Sequence, residues 1–336
     1  MSVEQIYLQR QAMKPTARTW ILHSLLLLTT LATTTIAGVL FPFGRIDSMP
    51  VSDPQTWPEL LDFVSTIPTR YASLIGDAVY KLSTDTTLLI DGLSFSLSLL
   101  FILVSHEMGH YVACRIYRVD ATLPFFIPTP PMIGPAGTFG AFIRIKSPMP
   151  SVRAIFDIGV AGPIAGFIAL IPIALLGIFH MQPAPPGQLD VPGSLTFADP
   201  LFMRIAGAVV GHDPTVSVGN PFYYAAWVGL LVTALNLIPS GQLDGGHAIY
   251  SVLGKKVHFF TGRIAFVIMA ALAIIGFVFY SSPSGFLVAV LLGIMMRVRH
   301  PQPYDETPLD MKRKVIAFAT LIIFVLCFVP FPIRIN

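Results

Sequence analysis

What most constrains this chain is a series of apolar runs, several of about 20 residues, the length at which a helix crosses a bilayer. They fall near residues 20–41, 88–113, 154–179, 222–238, 264–279, 285–296 and 315–330. The fourth breaks at Pro239-Ser240-Gly241 and resumes to Leu253. Of the 336 residues 54% are hydrophobic and 12% charged, with a mean hydropathy of +0.72. A single soluble core cannot hide that much apolar surface, so the solvent must be lipid. The runs predict an all-α polytopic membrane protein with about seven transmembrane helices and the bilayer as a constant partner.

Charge sets the expected orientation. With the N-terminus inside and the runs alternating, 16 of the 21 Lys and Arg fall on the cytoplasmic side, as the positive-inside rule requires. They include Arg10, Lys14 and Arg18 at the start, and Arg297 and Arg299 late in the chain. A net charge of +3 without a basic block argues against nucleic acid as a partner. The two cysteines, Cys114 and Cys327, make neither a disulfide framework nor a Cys-rich metal site and read as free thiols in apolar helices. The first run reads as a retained signal-anchor. No long Ser/Arg-rich, acid-poor leader stands before it, so the sequence points to a bacterial cytoplasmic membrane rather than an imported plastid precursor. Residues 42–86 read as a mixed, Pro-containing segment outside the membrane. Residues 119–150 are too rich in Pro and Gly for a helix. Their second half, Gly137 to Ile145, alternates and reads as a strand of a small β-hairpin-like membrane-surface segment.

The chemistry lies at the cytoplasmic end of the second run, in Ser105-His106-Glu107-Met108-Gly109-His110. Four residues apart, His106 and His110 share a helix face and can grip one metal ion, and Glu107 can reach a water on that ion. With 8 His in the chain, the pattern is expected by chance about 0.002 times. Three ionisable groups clustered in a membrane span also favour a site over isolated structural side chains. A hydrolytic zinc needs a third protein ligand. No Glu occurs between Glu107 and Glu306, and the position for a third His six residues on is Ile116. Most other aspartates and histidines fall in outer loops. Asp244 does not: it follows the break in the fourth run, which travels inward, and so arrives at the depth of the two histidines.

HEMGH on one span and Asn236-Leu237-Ile238-Pro239-Ser240-Gly241-Gln242-Leu243-Asp244-Gly245-Gly246 on a later one resemble the site-2 protease family of intramembrane zinc metalloproteases, peptidase family M50. Phe156 to Gly166 is similar to that family's Gly-rich middle span, and no inter-span stretch is long enough for a PDZ domain, as in the PDZ-less members. The likeness divides the chain into an N-terminal helix and extracytoplasmic segment (1–85), a three-helix catalytic core (86–254) and C-terminal helices (255–336). It implies one Zn²⁺ per chain held by His106, His110 and Asp244, with Glu107 as general base. It also implies a role for Asn236 in holding substrate or the tetrahedral intermediate, beside which a plain interhelical hydrogen bond stays open. The implied substrate is a single-pass membrane protein, such as a tethered transcription regulator or a remnant signal peptide, cut near the cytoplasmic side. Two other classes stay open: a zinc or cation transporter, since such pathways also use intramembrane His and Asp, and an inactive protease-like scaffold.

Other residues carry smaller expectations. His247 stands three residues past Asp244 as a supporting group. Asp157 is expected to pair with Arg153 one turn earlier. Gly159, Gly162 and Gly166 are expected to form a close-packing face. His23 and Asp91 read as packing or capping groups. The Gly137–Ile145 strand is expected to pair with an unwound substrate, because the carbonyls of an intact helix are shielded by their own hydrogen bonds.

Overall fold

The computed structural model describes residues 15–46, 54–185, 195–298 and 300–335. Arg10, Lys14 and Arg299 of the orientation argument lie outside the described residues. The described chain is mostly helical. Its helices are α1 (Ala17–Val39), α2 (Trp57–Thr84), α3 (Thr86–Ile116), α4 (Val152–Phe179), α5 (Leu201–Val210), α6 (Pro221–Asn236), α7 (Asp244–Tyr280), α8 (Ser284–Met295) and α9 (Met311–Cys327). Strands β1 (Phe125–Pro128) and β2 (Thr138–Phe142) form an antiparallel hairpin between α3 and α4. Two further strand pairs are only two and three residues long.

Four helices, α1, α3, α4 and α7, are long and apolar enough to cross a bilayer. The expected seven does not follow from helix length. The runs at 222–238, 285–296 and 315–330 fall on helices of 16, 12 and 17 residues, and 12 residues cover about 18 Å at 1.5 Å each. The run at 264–279 lies in the second of two helical stretches that make up α7: they meet at Gly254, whose φ of 83° and ψ of 172° interrupt the helix and suit glycine. A long helix also stands where a mixed segment was expected. Thr56 accepts the N–H of Glu59 while Glu59 accepts that of Gln55, a reciprocal cap at the start of the 28-residue α2. Pro58 in the first turn suits that start.

The centre of the bundle is α3, flanked by α1, α4 and α6, with Phe95, Leu99 and Ile102 fully buried. Threonines of α1 spend their hydroxyls on carbonyls one turn back, and Thr35 also meets Ser96 of α3 at 2.8 Å. The hairpin runs along α1: His23 Nδ1 meets the Pro124 carbonyl at 2.7 Å, and Thr33 donates to the Gly137 carbonyl at 2.8 Å. Those contacts lie ten residues apart on α1, about 15 Å along its axis. Asp91, at the start of α3, is ion-paired with Arg45. Cys114 and Cys327 are both buried free thiols.

Asp157 is not paired with Arg153. Its carboxylate takes two N–H bonds from Arg313 of α9, Nε at 2.9 Å and Nη2 at 2.7 Å, and a third bond from the Tyr117 hydroxyl at the end of α3. A guanidinium arriving from a neighbouring helix satisfies both carboxylate oxygens in plane, whereas Arg153 points to solvent. The pair thus clamps α4 to α9. Arg313→Gln should lower thermal stability in detergent, and a cycle with Asp157→Asn should give a coupling of about 1–3 kcal/mol. Arg153→Gln should leave the melting temperature unchanged; the opposite ranking would restore the i,i+4 pairing.

Candidate metal centre

His106, Glu107 and His110 occupy the C-terminal half of α3 and are all buried. Asp244 is the first residue of α7, so its carboxylate sits at a helix N-terminus, where free N–H groups favour a negative charge. The turn 237–243 delivers it there, and the sequence around it explains the tightness. A Cβ at Gly245 would run into the Leu237 carbonyl, and one at Gly246 would meet the Gly241 carbonyl. Two glycines after Asp244 therefore let α7 start directly against the turn that ends α6.

The three side chains converge on one point. His106 Nε2 lies 3.3 Å and His110 Nε2 lies 3.4 Å from Asp244 Oδ2, and the two Nε2 atoms are 3.1 Å apart. Among the described residues this is the one group of three or more His, Cys, Asp or Glu side chains arranged to hold a metal ion. The tautomer of His110 is fixed by its other nitrogen. Nδ1 meets the Ile158 carbonyl at 2.7 Å, and a carbonyl only accepts, so Nδ1 carries the proton and Nε2 presents a lone pair. The Asn236 amide nitrogen faces His106 Nε2 at 3.4 Å, which treats that atom as an acceptor too. Lone pairs pressed together in this way call for a cation. Ligands about 2.05 Å from a tetrahedral ion stand about 3.3 Å from one another, which matches all three measured separations.

Helix α4 forms the wall behind the histidines, and its glycines do more than pack helices. A Cβ at Gly162 would overlap His110 Nε2, one at Gly166 would press on His106 at 3.1 Å, and one at Gly159 would strike His247 Cβ at 2.7 Å. The small-residue stripe read as a packing face is thus cut to the shape of the imidazoles.

In front of the group is a cavity of ≈ 390 Å³, lined by the three side chains, Glu107 and Asn236 and by Ile143 to Ile145 beyond β2. Ile143 and the Glu107 side chain share this cavity. Asn236 ends α6, within reach of His106 but not of Asp244's place in the group. His247 lines the cavity without joining the three. Its Nδ1 meets His300 Nε2 at 2.8 Å, and His300 Nδ1 faces the Pro301 carbonyl at 2.9 Å. Burial holds the His300 imidazole down to about 3, so it is neutral. The carbonyl fixes its proton on Nδ1, His247 must then donate from Nδ1, and His247 Nε2 is left bare. His300 was missed from sequence: a lone His among arginines carries no spacing signal.

Residues 94–276 match the family model described as peptidase family M50. The chain is 32% identical over 245 residues to "Probable zinc metalloprotease EGY1, chloroplastic" of Arabidopsis thaliana, covering 71% of this chain and 43% of that protein. It is 35% identical over 170 residues to the rice (Oryza sativa subsp. japonica) protein of the same name, covering 49% and 28%. It is 30% identical over 251 residues to the Arabidopsis "Probable zinc metalloprotease EGY2, chloroplastic", covering 73% and 43%. The chain thus spans less than half the length of these relatives. Their chloroplast location is at odds with the bacterial membrane expected from the leader argument.

The geometry makes metal content the direct readout. Purified protein should carry about one zinc per chain by plasma emission, with His110→Ala and Asp244→Ala empty. Gly162→Ala should lose most of the metal although no ligand is touched. Full occupancy in Gly162→Ala would show that α4 does not position His110.

Proposed function

The chain belongs to peptidase family M50, and from that premise we propose that it is an intramembrane zinc metalloprotease whose catalytic core is residues 86–254. The observation that carries this reading is the convergence of His106, His110 and Asp244 at tetrahedral ligand spacing with Glu107 beside them. These three residues would hold the zinc. When bound, it supplies a Lewis acid that activates water and polarises a carbonyl at neutral pH.

The side chains then divide the remaining work. Water adding to the scissile carbonyl must lose a proton, and Glu107, one step round the helix from both histidines, takes it as general base. As the C–N bond breaks, Glu107 returns that proton to the leaving amine, so hydrolysis ends with an acid, an amine and the carboxylate restored. Asn236, with its amide turned into the cavity, is placed to hold the substrate or its tetrahedral intermediate. The Ile158 carbonyl keeps the proton of His110 away from the cavity.

A substrate must present an accessible carbonyl, so its helix has to unwind locally. Among the described residues β2 is hydrogen-bonded only to β1, which leaves its other edge open. Side chains and N–H groups alternate along a strand, so Ala141 points its N–H to the same edge as Ile143, which lines the cavity with Glu107. That edge is the natural partner for an extended segment. The substrate class is a single-pass membrane protein, which takes in tethered transcription regulators and remnant signal peptides. The N-terminus is placed in the aqueous compartment that retains positive loops, with the active site towards it. Arg144 lines the cavity itself, in keeping with that side.

Glu107→Gln should keep its zinc and lose cleavage of a membrane-anchored reporter by about 10²–10⁴-fold. Pro at Phe139 or Ala141 should impair cleavage with zinc retained, and undiminished cleavage would remove strand addition from the mechanism. Zinc flux across proteoliposomes without any cleavage would return the transporter reading.

A further inference from the structure

A second cavity, of ≈ 860 Å³, opens between α7 and α8 at the same end of the bundle as Asp244. Its walls divide by chemistry. Lys255, Arg263 and Arg297 supply three cations, and among the described residues no carboxylate lines it. Phe259, Phe266 and Met296 give it an apolar side. None of the three cations has an ion-pair partner among the described residues, whereas Arg45, Lys81 and Arg313 do. The Arg263 guanidinium lies 3.4 Å from the centre of the Phe259 ring. Glu306 acts on Tyr250, which borders the cavity, but does not itself line it.

Three cations without ion-pair partners around one open cavity repel one another and favour an anion between them. The position says which kind. The stretch of α7 after Gly254 begins at Lys255-Lys256 and runs through Phe266 into the apolar part that makes α7 long and apolar enough to cross a bilayer, so the cavity lies at the level where headgroups meet acyl chains. A soluble anion has no use for the phenylalanine and methionine side. We propose that this cavity is a binding site for one anionic phospholipid, its phosphate held by Lys255, Arg263 and Arg297 and its first methylenes against Phe259, Phe266 and Met296.

Such a lipid would bear on the turn that carries Asp244. Gly241 lines this cavity, and its carbonyl meets His258 Nε2 at 3.0 Å. His300, also in the wall, stacks on Tyr250 with ring centres 3.9 Å apart and bonds to His247 in the neighbouring cavity. Both histidines are thus committed to protein partners, and the anion falls to the three cations.

The test is native mass spectrometry of the full chain after exchange from nanodiscs containing equal phosphatidylglycerol and phosphatidylcholine. Zinc content and melting temperature serve as controls for folding. Wild type should retain about one phosphatidylglycerol per chain in preference to phosphatidylcholine. A Lys255→Gln/Arg297→Gln variant should lose that retention by about 25-fold, since each cation beside an anionic lipid contributes a factor of about five. Lys255→Arg/Arg297→Lys should restore it. Equal retention of the two lipids, or equal retention by wild type and the Gln variant, would overturn the proposal. So would displacement by millimolar inorganic phosphate, which would mark a soluble-anion site, or by an acidic peptide, which would mark a contact for substrate. None of these readouts depends on proteolysis, so the lipid site stands or falls apart from the catalytic reading.

Discussion

Three electron-pair donors packed within 3.1 to 3.4 Å of one another do not stay together by their own attraction. His106, His110 and Asp244 are held there by helices that have no freedom to separate. Glycines at 159, 162 and 166 bring α4 against the imidazoles, and Gly245 and Gly246 bring the start of α7 against the end of α6. Each of these close approaches costs the chain a side chain's worth of packing. The return is a preorganised site, in which the reorganisation a metal would demand is already made by the fold. The same economy fixes the proton on His110, because the Ile158 carbonyl that accepts it belongs to the helix whose glycines press on the ring.

The bilayer imposes the other boundary condition. Backbone that is neither helical nor paired is costly in hydrocarbon unless protein covers it or water reaches it. The β1–β2 hairpin meets this condition by running along α1, where His23 and Thr33 take up its carbonyls. Of the threonines that look out of place in this apolar helix, Thr33 gives its hydroxyl proton to the non-helical neighbour, while Thr30, Thr34 and Thr35 donate to carbonyls of their own helix. The consequence is that an extended strand can exist beside the buried His106, Glu107 and His110, which an all-helical bundle would not permit.

How much of this was legible in sequence depends on whether the signal was local. HEMGH fixes its own geometry, because four residues on a helix are one turn, and Asp244 followed from direction of travel and the absence of any competing Glu. The start of α2 was equally local, and Thr56-Trp57-Pro58-Glu59 carried a capping signature that hydropathy alone passed over. By contrast, the partner of Asp157 is 156 residues away on α9, and spacing rules favour the neighbour one turn off. His300 and the cation-lined cavity are likewise products of tertiary packing. Span number suffered from the same limit: an apolar run reports burial in lipid or protein alike, and short helices such as α8 satisfy the run without the length to cross.

The turn from Leu237 to Leu243 is where these strands of argument meet. It ends α6 just past Asn236 and begins α7 at Asp244. Its Gly241, at φ 56°, takes a conformation that glycine adopts at least cost. On one side it sets the carboxylate against two histidines, and on the other its carbonyl is tied to His258 in the wall of the basic cavity. A displacement of this turn moves Asp244 and Asn236 together while leaving His106, Glu107 and His110 fixed on α3. The donor set is therefore divided between one rigid helix and one short segment, and any control over the site acts most directly through the segment.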